Sequence, residues 1–138
     1  MTATVRVIHI EGDQFEIAIR QHRLLVDQPV ADGGNDSAPT PTELFISSLA
    51  ACIAHYARRY LARHNLPTAG LSVDAEYAMV AHPTRVGEIT LYLAVPDGLP
   101  DDRLAGLLAV ARKCTVHNTL EVPPAVLVEL AREPIVVA

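Results

Sequence analysis

Residues 39–64, PTPTELFISSLAACIAHYARRYLARH, constrain the fold more than any other stretch of the chain. Thr40 is suited to cap a helix, Pro41 fits the first helical position, and Glu43 completes a capping box with Thr40. From Leu44 to Ile53 nearly every side chain is apolar or small, which predicts a helix buried on most of its sides. Arg58, Arg59, Arg63 and His64 load its far end, where the helix dipole favours cations, and Asn65 and Pro67 stop it. Such a helix needs apolar cover. Half of the 138 residues are apolar, enough for one domain over residues 1–138 with its own core and no staples. The helix is nonetheless apolar on more sides than one short chain readily covers, which predicts a homodimer with a large apolar interface.

Ahead of the helix, TVRVIHI and QFEIAIR are separated by Glu11, Gly12 and Asp13 and read as two antiparallel strands, with RLLVDQPV adding a third. The Gly-, Asn-, Ser- and Pro-rich ADGGNDSAPTP then breaks regular structure. After the helix, LSVDAEYAMVA alternates, placing Leu71, Val73, Ala75, Tyr77 and Met79 on one face and Ser72, Asp74 and Glu76 on the other. HPTR is a turn, and EITLYLAVP returns as a hairpin partner with Ile89, Leu91, Leu93 and Val95 inward. Pro100, Asp101 and Asp102 open a second helix whose stripe is Leu104, Leu107, Leu108 and Ala111, continued by Cys114. TVHNTLEV forms a short helical turn, Pro123 and Pro124 break it, and AVLVEL with PIVVA supply one or two closing strands. The order of elements predicts an α+β fold.

Charge narrows the function. The formal net charge is −5, and the eleven basic residues are scattered, so nothing resembles a footprint for nucleic acid or anionic lipid. The amino-terminal MTATVRVIHIEGD lacks the basic region, apolar core and small-residue cleavage site of a leader, and no apolar run is long enough to cross a bilayer. A cytoplasmic chain with small-molecule partners is expected. In a reducing compartment, two cysteines are free thiols or a transient pair rather than a structural bridge. A single apolar-flanked cysteine is ordinarily core filler. Here, however, Cys52 and Cys114 each end an apolar stripe, as if two helices aimed sulfurs at one point.

GGNDSAPTPTELFISSLAAC, followed by a hairpin, a helix and KCTVHNTL, resembles the OsmC/Ohr family of thiol-dependent peroxidases, in its OsmC-like branch. The resemblance covers nearly the whole chain. It rests on Gly33-Gly34, on Pro41-x-x-Leu44 at the helix opening, on Ala-Ala-Cys52 and on Cys114-x-x-His117-Asn118. It implies an OsmC-like fold in which two chains interleave antiparallel sheets around paired central helices, with two active sites at the dimer interface. It implies further that Cys52 attacks an organic hydroperoxide, that Cys114 resolves the product as a disulfide, and that an external dithiol restores both thiols. No metal or organic cofactor is implied.

A thiolate in an apolar helix core needs a cation nearby, because a cysteine of ordinary pKa is largely protonated at neutral pH. In the hydroperoxide-resistance branch an amino-terminal arginine serves, held by a glutamate directly after the helix-opening proline. Here Thr42 follows Pro41, and the carboxylate comes one place later, at Glu43. At about 100° per residue, position 42 lies some 80° around the helix from Cys52, whereas Glu43 lies on roughly the opposite face. Glu43 therefore reads as a cap, and Arg20 and Arg23 are the candidate charge partners. Two other readings use the same residues. Cys52-x-x-His55 and Cys114-x-x-His117 together offer a tetrahedral zinc set, and the fold without active thiols would be a small-molecule-binding module with an apolar pocket at the dimer interface. Gly33 and Gly34 lack the lysine and hydroxyl residue of a phosphate-binding loop and read as loop glycines.

Overall fold

The computed structural model of the protein describes residues 2–136. It is a mixed α+β fold with two small antiparallel sheets and three α-helices, as the sequence predicts. Two compact units divide the chain, one running to Leu44 and resuming at Ala125, the other spanning Phe45–Pro124.

The first unit holds a three-stranded meander of β1 (Arg6–Glu11), β2 (Gln14–Ile19) and β3 (His22–Val26). Gly12, at φ +51°, makes the first turn and Arg20, at φ +52°, opens the second. His9 pairs with Phe15, and Phe15 in turn with Val26, so register is carried across all three strands. The third strand stops at Val26 because the next residue is committed elsewhere. Asp27 is buried, and its carboxylate organises the loop that follows. Oδ1 accepts the Gln28 N–H at 2.7 Å, while Oδ2 accepts the Ser37 hydroxyl at 2.6 Å and the N–H groups of Ser37 and Asn35 at 3.0 and 3.3 Å. These donors hold the Asp27 carboxyl at about 2, the Ser37 hydroxyl contributing most and the Ser37 and Gln28 N–H groups next. Its own N–H donates to the Pro39 carbonyl at 3.1 Å, closing the base of the loop.

Both loop glycines are accounted for here. Gly33, at φ +98°, closes a single 3₁₀ turn over Val30–Asp32. Gly34 lies so close to Gln28 that a Cβ would sit 2.6 Å from its carbonyl carbon and 2.8 Å from Asp27 Oδ1. The capping box forms as predicted: the Glu43 N–H donates to Thr40 Oγ1 at 3.1 Å, and the Thr40 N–H to Glu43 Oε1 at 2.9 Å.

Helix α1 (Pro41–Arg63) supplies the second unit with its spine. Leu49, Ile53, Ala57 and Leu61 recur every fourth residue and are all buried. The helix ends in a Schellman motif: Asn65 takes a left-handed φ of +54°, and the Leu66 N–H reaches back to the Leu61 carbonyl at 2.9 Å. The hairpin of β4 (Ser72–Val80) and β5 (Arg85–Ala94) lays Val73, Ile89, Leu91 and Leu93 against this core. Helix α2 (Leu104–Ala111), entered through a 3₁₀ turn at Asp101–Arg103, adds Leu107 and Ala111, and α3 (Thr115–Glu121) follows.

Three sequence expectations are corrected. Tyr77, Met79 and Val95 are 41%, 48% and 40% exposed, because the buried cluster meets the hairpin only through residues such as Val73, Ile89, Leu91 and Leu93. Leu104 and Leu108 are likewise exposed; α2 turns only a narrow edge inward, centred on Leu107 and Ala111. The closing strands do not form among the described residues, and Val137 and Ala138 lie outside them. A strand needs a neighbouring edge to satisfy its backbone, and residues 125–136 pair with none in this chain.

Candidate active site

Cys52 is set on α1 between buried Leu49 and Ile53 and is itself only half-buried. Cys114 is fully buried and packs in the same cluster. It does not continue the stripe of α2, as the sequence spacing predicts. The helix ends at Ala111, and Cys114, with φ −65° and ψ 151°, becomes the N-cap of α3. Its Sγ accepts the backbone N–H of His117 at 3.3 Å. Sulfur here fills the position that Ser, Thr, Asp or Asn usually takes.

The two sulfurs act on one another. Burial raises the Cys114 thiol above its usual range most strongly; the His117 N–H opposes this, and Cys52 then raises it further, first as a hydrogen-bond neighbour and then as a charge. The Val116 N–H opposes in turn. Cys114 is thus held as a thiol with Cys52 as its neighbour, while Cys52 keeps contact with solvent. A link the sequence reading misses lies beside them: Tyr56, one turn beyond Cys52, and Thr115, next after Cys114, share a hydrogen bond of 2.9 Å between their hydroxyls. The signal was the spacing of four that places a tyrosine on the cysteine's face. A cleft of about 290 Å³ is lined by Leu49, one turn before Cys52, with Ile89, Leu91, His117 and Leu120 and the carboxylates Glu88 and Glu121.

The remaining candidates lie on other elements. Arg20 and Arg23 belong to the first unit, at the β2–β3 turn and on β3. Arg23 Nε pairs with Glu16 at 3.3 Å, and its Nη1 donates to the His22 carbonyl at 3.0 Å. Glu43 has a carboxylate oxygen in the helix cap, the role its angular position predicts. The zinc arrangement is not formed. His55 is exposed, its ring edge-on to Tyr56. His117 has both ring nitrogens engaged, Nδ1 with the Arg112 carbonyl at 2.7 Å and Nε2 with Glu121 at 3.2 Å. Among the described residues, no three His, Cys, Asp or Glu side chains gather as a metal site.

Residues 33–129, which include both cysteines and the Gly-Gly loop, match the model of the OsmC-like protein family. The chain belongs to that family. No curated protein matches its sequence significantly. Among solved structures, an osmotic stress and detoxification response protein of Psychrobacter arcticus 273-4 superposes on the OsmC-like chain with a TM-score of 0.79 at 23% identity, covering 86% of this chain and 88% of that one. The OsmC-like protein of Mycoplasma pneumoniae gives 0.75 at 17% identity over 88% of both chains. The organic hydroperoxide resistance protein OhrB of Bacillus subtilis gives 0.61 at 18% identity, over 84% of this chain and 89% of its own. At these identities the likeness is one of fold. Among the described residues of this OsmC-like chain, no helix is long and apolar enough to cross a membrane.

Proposed function

We propose that this OsmC-like chain reduces organic hydroperoxides through a dithiol–disulfide cycle of Cys52 and Cys114. The observation that carries the reading is the unequal pair: Cys52 accessible, Cys114 buried and kept protonated beside it. The thiolate of Cys52 attacks one oxygen of the O–O bond; that oxygen transfers to sulfur as a sulfenic acid, and the other leaves with a proton as an alcohol. The Cys114 sulfur then displaces hydroxide from the sulfenic sulfur, releasing water and forming a disulfide. An external dithiol, oxidised in exchange, returns both thiols. A buried resolving thiol suits this order, since hydroperoxide reaches half-buried Cys52 more readily than buried Cys114. The leucine and isoleucine side chains lining the cleft beside Leu49, which Glu88 and Glu121 also border, offer apolar surface to an organic substrate, and structures of the same fold are named for organic hydroperoxide resistance.

Arg20 and Arg23 are the proposed sources of positive charge for the Cys52 thiolate, and the acting form is a cytoplasmic homodimer. The uncovered apolar side chains of the carboxy-terminal segment, Leu127 and Val128 at 81% and 88% exposure, support assembly with a second copy. Steady-state consumption of cumene hydroperoxide with dithiothreitol tests the reading. Wild type should turn over, Cys52→Ser should lose even the first equivalent, and Arg20→Ala or Arg23→Ala should slow the attack. Wild type without turnover, or Cys52→Ser with full activity, refutes it.

A further inference from the structure

A cleft of about 460 Å³ runs along the carboxy-terminal half of α1, and nothing in the peroxide chemistry uses it. Tyr56, Tyr60 and His64 contribute to its lining at every fourth residue, so their rings share one face of the helix. The Tyr60 and His64 ring centroids are 4.4 Å apart. Arg59 and Arg63, also four apart, belong to the same lining, with Arg59 Cζ 6.0 Å from the Tyr56 centroid, and Lys113 joins them from beyond the end of α2. Among the described residues no carboxylate lines the cleft. Among the described residues Arg59, Arg63 and Lys113 enter no ion pair, in a chain whose net charge is −5.

The rings are held in place. Tyr56 is tied by its hydroxyl to Thr115. Tyr60 lies over Gly106, where a Cβ would meet its hydroxyl at 2.5 Å, so the missing side chain makes room for it. His64 Nδ1 accepts from Arg103 Nη1 at 3.2 Å, which puts the ring proton on Nε2 as a further donor. Basic residues at a helix carboxy-terminus offset its dipole, but that role needs neither an aromatic ladder nor a lysine from another element.

We infer that this cleft binds a planar aromatic anion, its ring against the tyrosine and histidine faces and its phosphate or carboxylate held by Arg59, Arg63 and Lys113. The volume suits one small ring system with its substituent. The inference stands on this cleft alone and does not require peroxidase activity.

Calorimetric titration of the reduced full chain with adenosine monophosphate and with salicylate tests it, alongside adenosine (ring without anion) and inorganic phosphate (anion without ring). One saturable site per chain is expected, with at least one of the two aromatic anions bound about tenfold or more tighter than adenosine and phosphate. Arg59→Ala/Arg63→Ala, at exposed helical positions that alanine favours, should weaken that binding by about tenfold or more. Preference for the nucleotide identifies a phosphate ligand, and preference for salicylate a carboxylate. Absence of saturable binding by both at about 10 mM, binding of phosphate or adenosine as tight as that of the aromatic anions, or an unaffected double variant overturns the inference.

Discussion

The thiol of Cys114 caps a helix: its Sγ takes the His117 N–H at 3.3 Å, the first bond of α3. The residue proposed to resolve the sulfenic acid is therefore also a structural stop, and the two roles separate on substitution. A serine in its place is the better cap. Cys114→Ser should keep the melting temperature within a few degrees of wild type while consuming about one equivalent of hydroperoxide per site and stalling as a sulfenate. Dimedone trapping and mass spectrometry would show the adduct on Cys52. Loss of that first equivalent would reverse the assignment of the two cysteines.

Burial of Cys114 couples its ionisation to folding. Its pKa is raised from 9.0 in the folded chain, so the native state binds the proton more tightly than the unfolded one. The resulting stability is complete below pH 9 and is lost as pH rises through the folded value. Melting curves from pH 8 upward should therefore fall more steeply for wild type than for Cys114→Ser. The same bias should make iodoacetamide label Cys52 well before Cys114 at pH 8.

Asp27 gives the opposite slope. Its carboxyl is lowered from 3.8 to about 2, so its contribution is present above pH 3.8 and lost as pH falls towards 2. Asp27→Asn sets an amide NH₂ against the donors of Ser37 and Asn35 or gives up part of their hydrogen bonding. The expected cost is a melting temperature lower by roughly 5 °C or more at pH 7. Between pH 4 and 2 the variant should lose less stability than wild type, as acid titration followed by circular dichroism would measure.

The carboxy-terminal segment carries the test of assembly. Leu127→Glu/Val128→Glu places two charges where exposed apolar side chains are proposed to meet a second copy. Light scattering should show two chains per particle for wild type at micromolar concentration and a shift towards one for the variant. A single-chain mass for wild type would refute the homodimer.

The opening strands, capped helix, hairpin and α+β class were legible because each is written in local chemistry. Thr40 and Glu43 cap, Gly12 turns, and residues 14–19 alternate around a fixed register. Misreadings occur where burial depends on what lies opposite. Tyr77 and Leu108 have apolar neighbours at the right periodicity, yet the core reaches only part of their elements. Residues 125–130 have strand composition but no edge to join. At the thiols, the sequence located both cysteines but placed Cys114 in the preceding helix, since cysteine is not among the residues that ordinarily mark a helix N-cap. The carboxylate of Asp27 went unnoticed because its partners are mostly backbone N–H groups, which every sequence possesses.

The short bridge from Asp27 to Pro39 has an evolutionary and practical consequence. Since the N–H and carbonyl at its base already bind each other, the positions of strand end and helix start do not depend on what happens at the tip. Ala31 and Asp32, exposed on that tip, form a tolerant place where lineages can drift or a peptide tag can be spliced in. Gly34, three residues from Ala31, admits not even a methyl group. Freedom and prohibition thus stand within a single turn of chain, and a library randomised across residues 27–37 should retain glycine at 34 and aspartate at 27 while nearly anything survives at 31.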